Sequence, residues 1–432
     1  MKHVLLISGS DYSKQVYGGL ISLRDEGIQV SLLSDGSFEP TPGVFEHHVK
    51  ADLRHTAATL DRVRGLDLRF DAVVNKSSEW LTPLTALLAQ HFGVLGVQPK
   101  VAFLCRSKLH MRQAFKEAGL PTPRFRLCHS FEEIQETVRE FNTRCVAKPI
   151  GGNASYGTFQ VQPSDNFDAL GTYYLQAVDY LRKKAIDQDM FAFEREELRL
   201  LGIEDEVNMV DDYLVEEFLV GTQVSVDSLI QNGRPHVAGV AHQIRMKPPF
   251  FVQVEEYMPF QGDSETLRGI EEVNRRSLEA LGVEVGTSHT EIILTEEGPR
   301  VLEVACRIGG DNIHDSVYQT TGVHLLKESI YVHLGIPRKL KMDVRAGVAM
   351  RYFIPEKKGI LQRTCISPEL YDLPYVTDLN FSATSGERVS LPPESYDFLG
   401  YIQVCGQDVA DAREKLEHAV QYISFDIADV SE

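Results

Sequence analysis

Residues 291–310, EIILTEEGPRVLEVACRIGG, constrain the chain more than any other stretch. Two apolar runs, 291–294 and 301–304, flank a Thr-Glu-Glu-Gly-Pro segment with turn chemistry, which predicts an antiparallel β-hairpin. Pairing symmetric about Glu297 puts Glu291 opposite Glu303, with both side chains leaving the same sheet face. Like charges so placed repel. A divalent cation between them reverses the sign of that interaction, and hard oxygen ligands suit Mg²⁺ or Mn²⁺. The rival reading is a solvated strand face with two unrelated glutamates, which a one-residue register slip produces. The hairpin alone leaves both readings open.

At 432 residues the chain exceeds the size at which a single core keeps growing, so two or three packed units are expected. Its 43% hydrophobic and 25% charged residues are those of an ordinary soluble globular protein. No apolar run approaches the roughly 20 residues of a membrane span. The apolar run in MKHVLLISGSDYS is too short for a secretory leader and suits a buried first strand. Forty-four Lys plus Arg against 62 Asp plus Glu leave a net charge of −18, which argues against a nucleic-acid or anionic-membrane surface. An anionic ligand has to be held by placed local groups. Cys105, Cys128, Cys145, Cys306, Cys365 and Cys405 are too scattered for metal-type pairs or a disulfide framework, and they read as buried reduced thiols of a cytoplasmic protein.

Residues 4–8 (VLLIS), a Gly-containing turn, a helical segment around 17–26 and residues 29–33 (QVSLL) read as a β-α-β opening, which implies a parallel sheet. Ser8-Gly9-Ser10 lacks GxGxxG spacing and reads as a turn. Residues 71–75 (DAVVN) add a strand, followed by Lys76-Ser-Ser-Glu79-Trp80 and a helix to about Phe92. Glu79 stands at a strand's C-terminal end, where open α/β sheets bind ligands; a carboxylate satisfying a helix N-terminus is the bland alternative. Residues 106–118 form an amphipathic helix closed by Gly119, with Pro121 and Pro123 beyond it, and look like a linker between units. Lys108 lies in its first turn against the helix dipole, so it either reaches to solvent or meets an anion.

Residues 145–161 (CVAKPIGGNASYGTFQV) read as strand, glycine loop, strand. Lys148 ends the first strand, and Gly151, Gly152, Asn153, Ala154, Ser155 and Gly157 form a loop whose N–H groups are free to fold over phosphates. It is not a GxxxxGK[ST] loop, because its lysine precedes the glycines and no helix follows at once. Residues 165–212 read as two helices without assigned chemistry. Residues 212–227 switch to strand character: 216–219 suit an extended hinge whose backbone pairs with an adenine edge, with Gln223 in reach of a ribose, while a plain strand with exposed glutamates is the alternative. In 241–259, Arg245 or His242 could bind a carboxylate, and Glu79 or Glu256 an ammonium, each against ordinary exposure. Residues 344–353 and 394–404 read as strands and 411–422 as the helix of a final α+β unit that caps the site or forms a dimer contact, without a catalytic group.

Lys108, Val146-Ala-Lys148-Pro with its glycine loop, Glu216-Glu-Phe-Leu219-Val-Gly221-Thr-Gln223, and Glu291 followed by Glu303-Val-Ala-Cys-Arg307-Ile-Gly309-Gly310, in that order, resemble the ATP-grasp carboxylate–amine ligases. The resemblance covers about residues 1–337. Residues 400–419 are similar to the C-terminal domain of biotin-carboxylase-type members, and the Glu-x-Ala-x-Arg-x-Gly-Gly form is similar to the L-amino-acid ligases that make dipeptides. The resemblance implies a fold of mixed α/β and α+β class: an N-terminal parallel α/β domain at 1–98, a linker helix at 99–122, a small ATP-grasp subdomain at 123–215, a large one at 216–337 and a C-terminal α+β domain at 338–432.

Carried over by position, Lys108 and Lys148 would contact the nucleotide phosphates, with Gly152, Ser155 and Gly157 in the loop that closes over them. Glu216 would accept from the adenine amino group, the backbone of Glu217 and Leu219 would pair with the ring, and Gln223 would hold the ribose in place of the usual glutamate, bonding without charge. Glu291 and Glu303 would hold Mg²⁺ or Mn²⁺. Arg307 would sit at the reacting centre, with Gly309 and Gly310 letting backbone approach it. Ala305 stands where many members carry an asparagine ligand, so a second metal would rest more on phosphate and Glu303. The implied chemistry is attack of a carboxylate on the γ-phosphate of ATP, then attack of an amine on the acyl phosphate, with release of ADP and phosphate. The implied partners are ATP and two small substrates, amino acids by branch, with no nucleic acid and no membrane; a homodimer is allowed, and the compartment is cytoplasmic. The alternatives are a biotin-carboxylase-like or purine-pathway ATP-grasp enzyme, or a non-catalytic nucleotide-binding protein of the same fold.

Overall fold

Val4, Leu5, Leu6 and Ile7 are all fully buried, which requires cover on both faces of their strand. The computed structural model, which describes residues 1–10, 13–152, 155–188, 195–204, 208–310 and 312–429, provides that cover. Strands β1 (Lys2–Ile7), β2 (Ile28–Ser34), β3 (His48–Lys50) and β4 (Ala72–Asn75) form a parallel sheet in the order β3-β2-β1-β4. The crossover between β1 and β2 is the helix Lys14–Asp25, started by Ser13, whose hydroxyl accepts from the Val16 N–H. This is the β-α-β opening expected from the sequence. The loop after β4 carries Lys76 and Glu79 off the carboxyl end of the sheet.

The segment read as one linker helix is two, Pro99–Leu104 and Lys108–Glu117. A second sheet contains β5 (Phe125–Cys128), β6 (Cys145–Pro149), β7 (Phe159–Val161) and β8 (Tyr213–Glu217), in the order β5-β8-β6-β7. Its glycine loop joins β6 to β7, with Asn153 and Ala154 outside the described residues. The polar segment read as two helices gives Phe167–Gln188 and Arg195–Leu200, with 189–194 and 205–207 outside the described residues.

Downstream lie β9 (Thr222–Gln231), β10 (Arg234–Arg245), β11 (Gln253–Met258), β12 (Val285–Thr295), β13 (Gly298–Ala305), β14 (Gly347–Phe353), β15 (Gly359–Ile366), β16 (Val376–Phe381), β17 (Arg388–Val389), β18 (Gly400–Gly406) and β19 (Ile423–Ala428). Eight of them form one sheet, β13-β12-β9-β10-β11-β14-β18-β16, while β17-β15-β19 stand apart. The final unit is therefore not a detached cap. Strand β14 pairs antiparallel with β11, Glu256 opposite Met350, and so satisfies the backbone edge that β11 would otherwise leave open. Residues 394–399, expected to begin a strand, are irregular; β18 starts at Gly400.

The hairpin forms, but its turn is centred differently from the sequence expectation. Thr295 pairs with Gly298, so Glu296 and Glu297 are a two-residue turn, and that register alone would set Glu291 against Leu302. A bulge between Glu291 and Ile292 adds one residue to the other strand and brings Glu291 opposite Glu303. Behind the hairpin packs the helix Ser264–Leu281, capped by Asp263 and ended by left-handed Gly282. Its Ile270 and Leu278 share a core with Val301 and Val304, which fixes the face the glutamates cannot take. Among the described residues no helix is long and apolar enough to cross a membrane.

Candidate active site

A cavity of about 450 Å³ is walled by the four-stranded sheet on one side and by β9, β10 and the hairpin on the other. Glu291 and Glu303 both line it. Glu291 accepts from Gln223 Nε2 at 2.8 Å and from Arg245 at 3.1 Å. Burial works to raise its pKa, but Arg245 and then His289 outweigh this and hold it at about 2. Glu303 lies 3.3 Å from Lys108 Nζ and keeps 30% of its side chain exposed. Each of the two opposed carboxylates is thus compensated by a side chain from another element. Among the described residues no group of three or more His, Cys, Asp or Glu converges as a metal cage. Two carboxylates facing a cavity still fit Mg²⁺, which keeps several waters or phosphate oxygens among its octahedral ligands.

Lys108 meets an anion and does not reach to solvent. Its ammonium bonds the Gly152 carbonyl as well as facing Glu303, and its N–H donates to Ile150 O at 2.8 Å, which ties the helix start to the root of the glycine loop. In the same loop, Ser155 Oγ donates to Phe251 O at 3.1 Å, and Gly157 takes a left-handed φ of 68°.

Glu216 and Lys148, both read as nucleotide contacts, line the cavity and are paired with each other. Glu216 is buried, with one carboxylate oxygen 2.5 Å from Arg112 Nε and the other 2.6 Å from Lys148 Nζ. Burial would raise its pKa, yet Arg112 and Lys148 hold it at about 2. Each oxygen already carries a cation, so an adenine amino group would have to share a carboxylate that Arg112 and Lys148 hold. Lys148 lines the cavity but carries this ion pair, and burial draws its pKa below the ordinary lysine value against the pull of Glu216. Glu217 lines the cavity too, but its carboxylate binds Arg124 Nε at 2.8 Å, and its N–H donates to Arg124 O. That leaves Leu219, on the cavity wall beyond the end of β8, as the hinge residue whose backbone is not already paired among the described residues. Gln223 is engaged too, since its amide donates to Gln243 at 3.1 Å as well as to Glu291.

Arg307 is not on that wall. It lies alongside, donating to Glu79 Oε2 at 2.8 Å and to Ile308 O at 3.1 Å, while its Nε is buried without an acceptor among the described residues. Burial raises the Glu79 pKa, but Arg307, followed by Lys108 and Arg106, draws it below the usual carboxylate value. Glu79 thus stands in the first turn of the short helix Glu79–Leu81 and at the same time pairs with Arg307. Gly309 is needed for a different reason than expected. A Cβ there would stand 2.9 Å from both Asp227 Oδ1 and His289 Nδ1, and its N–H donates to Asp227. Gly310 has open space around it. Of the other substrate candidates, Arg245 and His242 line the cavity, with Arg245 bound to Glu291 and Gln243. Glu256 is buried in β11, where its carboxylate accepts from Gln253; it stands opposite Gln243 and does not itself line the cavity.

Two partnerships were absent from the sequence expectations. Arg112 follows Lys108 by one helical turn, on the face that turns inward, and its NH1 and NH2 donate to the Val301 and Leu302 carbonyls at 3.0 Å each. Asp227 and His289 sit opposite each other on β9 and β12, 3.2 Å apart. Burial lowers the His289 pKa, but the Asp227 carboxylate overcomes it and lifts it to about 10. The signal for His289 was available: it shares a strand face with Glu291, two residues on.

Residues 141–315 match the ATP-grasp domain family and residues 351–428 the L-amino acid ligase C-terminal domain 2. Alanine–anticapsin ligase of Bacillus subtilis is 21% identical over 437 residues, covering 92% of this chain and 87% of that protein. Carnosine synthase 1 of Gallus gallus is 24% identical over 347 residues, covering 78% of this chain but 35% of that longer protein. The crystal structure of an L-amino acid ligase from Bacillus licheniformis shares the fold, with a TM-score of 0.77 at 19% identity and 99% of both chains covered. The chain therefore carries an ATP-grasp domain followed by a C-terminal unit that matches the L-amino acid ligase C-terminal domain 2.

Proposed function

We propose that this protein is an ATP-dependent ligase that joins the carboxylate of one amino acid to the amine of another through an acyl phosphate, releasing ADP and phosphate. The observation that supports this most is the opposition of Glu291 and Glu303 on one wall of a cavity that Lys108, Lys148, Leu219 and the glycine loop also line. Relatives named as an alanine–anticapsin ligase and as an L-arginine-specific L-amino acid ligase support the substrate class.

Glu291 and Glu303 would hold Mg²⁺, which when bound neutralises phosphate charge and so permits an anionic carboxylate to approach. Lys108 is placed to exchange its contact with Glu303 for a phosphate oxygen. Arg245 and Arg307 each bury an Nε–H without an acceptor among the described residues, and a buried open donor is costly until something accepts from it. Substrate or phosphate oxygens fill that role. Arg307, steadied by Glu79, stands where the acyl oxygen would gain negative charge, and one such donor is typically worth about 2.7–4 kcal/mol to the transition state. Glu79 in turn offers a carboxylate to a substrate ammonium. The glycine loop keeps water from the acyl phosphate.

The test is a phosphate-release screen over pairs of amino acids with Mg²⁺ and ATP, with the nucleotide product identified. Pair-dependent release of phosphate and ADP, with an amide product, is expected. AMP and pyrophosphate, or turnover that needs bicarbonate or a nucleotide substrate, would replace this proposal with another ATP-grasp chemistry.

A further inference from the structure

The C-terminal unit meets the end of the glycine loop through aromatic side chains. Tyr156, at the end of the glycine loop, has its ring 5.4 Å from Tyr180 and 5.4 Å, edge-on, from Tyr396. Tyr180 and Tyr396 are themselves 5.6 Å apart, so the three rings close on one another. Each comes from a different part of the chain: the loop, the helix Phe167–Gln188, and the segment before β18. Tyr396 is 4% exposed and also meets Phe250 at 6.5 Å. Its neighbour Asp397 accepts from the Tyr180 hydroxyl at 3.2 and 3.3 Å and from the Tyr156 hydroxyl at 3.5 Å. The segment that carries Phe250 holds the loop from its other side: Ser155 Oγ donates to Phe251 O at 3.1 Å and Gln160 N to Pro249 O at 2.8 Å. Phe251 and Ser155 line the cavity. The loop end is crowded as well, since a Cβ on Gly157 would meet Leu181 at 2.7 Å and Tyr213 Oη at 3.0 Å.

We propose that Tyr396 and Asp397 are positioning residues of the nucleotide site, through which the C-terminal unit holds the glycine loop over the triphosphate by way of Tyr156. The proposal rests on the ligase activity put forward above and gives the C-terminal unit a task in it. With the loop held, the acyl phosphate meets only the amine; with the loop released, water competes, and ATP is consumed without a new amide bond. Geometry separates the two residues. Tyr396 is buried among rings, and its hydroxyl faces the Gly157 backbone without a close hydrogen bond among the described residues, so the ring carries most of its effect. Asp397 is exposed, so its hydrogen bonds are weakened by water and its share is smaller.

The experiment uses the full chain with Mg²⁺, ATP and the amino-acid pair that the phosphate screen identifies. It reads the KM for ATP and the phosphate released per amide bond formed. Tyr396→Ala should raise KM for ATP about tenfold and lift the phosphate-to-amide ratio clearly above the wild-type value. Tyr396→Phe should restore both, and Asp397→Ala, an exposed change that leaves the core intact, should move both in the same direction by about twofold. A Tyr396→Ala protein with wild-type KM and ratio overturns the proposal, as does one that loses only turnover while the ratio holds. If Tyr396→Ala does not fold, Asp397→Ala decides on the same two readouts. If the wild type ligates no pair, chymotrypsin cleavage after Tyr156 replaces the assay. MgADP should then protect the wild type and fail to protect the variants, and equal protection overturns the proposal.

Discussion

Two sets of carboxylates face the same cavity and differ in how completely they are paired. Glu216 has a cation on each oxygen, and Arg112, one of them, gives its remaining donors to backbone carbonyls of β13. Both oxygens of that carboxylate are ion-paired. The cluster ties the helix Lys108–Glu117 to β6, β8 and the hairpin strand, and so sets the distance between the cavity walls. Glu291 and Glu303 are compensated by Arg245, Gln223 and Lys108, but Arg245 keeps an open Nε donor and Glu303 stays 30% exposed. A triphosphate with its cation could take over every one of those contacts. Ionisation does not separate the two sets, because Glu216 and Glu291 are both held at about 2. Completeness of pairing does. A perturbed carboxylate marks function where its neighbours still have something to offer a ligand.

The largest effect should come from opening the closed set. Glu216→Gln leaves Arg112 and Lys148 buried without their counter-charge and should cost about 3–5 kcal/mol of stability in urea unfolding. A loss below about 1 kcal/mol would erase the distinction between the two sets. Next is Glu303→Ala. It relieves a like-charge opposition, so stability should change by less than about 1 kcal/mol. Mg²⁺-dependent ADP formation should fall by about 100-fold or more, at least the loss expected from removing a mere outer-shell support. Unchanged turnover would remove the metal pair from the site.

The Asp227–His289 pair lies between these extremes: closed, yet touching Gly309. Gly309→Ala should cost about 1–3 kcal/mol by overpacking, while Gly310→Ala, with open space around it, should stay near wild type; urea unfolding of both variants checks this. Equal effects would show that the pair does not set the backbone there. The last effect is one of pH, spread over several units. The folded-state pKa of His289, about 10, lies above its unfolded value, so its stabilisation is complete below about pH 6.5 and is lost as pH rises toward 10. Stability measured from pH 7 to 10 should include a decline of up to about 1.4 kcal/mol per pH unit that His289→Gln removes. An identical slope in the variant would mean that His289 is neutral in the fold.

Periodicity and motif order carried much of this structure in advance: the buried β1 run, the crossover, the hairpin and the strand–loop–strand around Lys148. The opposition of Glu291 and Glu303 was legible for a partly fortuitous reason. The turn centre was misplaced by half a residue, and a bulge, which leaves no mark in local composition, compensated for it. The pairing of Glu216 with Arg112 was not legible, because it spans 104 residues and depends on how a helix lies against a sheet. The same holds for β14 joining β11, where the open edge of one strand is met by a segment that sequence patterning groups with a different unit. Local chemistry names the residues at a site; which of them are already paired depends on register and packing.

The most direct test of the central claim is calorimetric titration of ADP, with and without Mg²⁺, into the wild type and into Glu303→Ala. The account predicts that Mg²⁺ strengthens binding to the wild type by about tenfold or more and that this gain disappears in the variant while metal-free ADP binds both alike. A Mg²⁺ gain of equal size in the two proteins would contradict it.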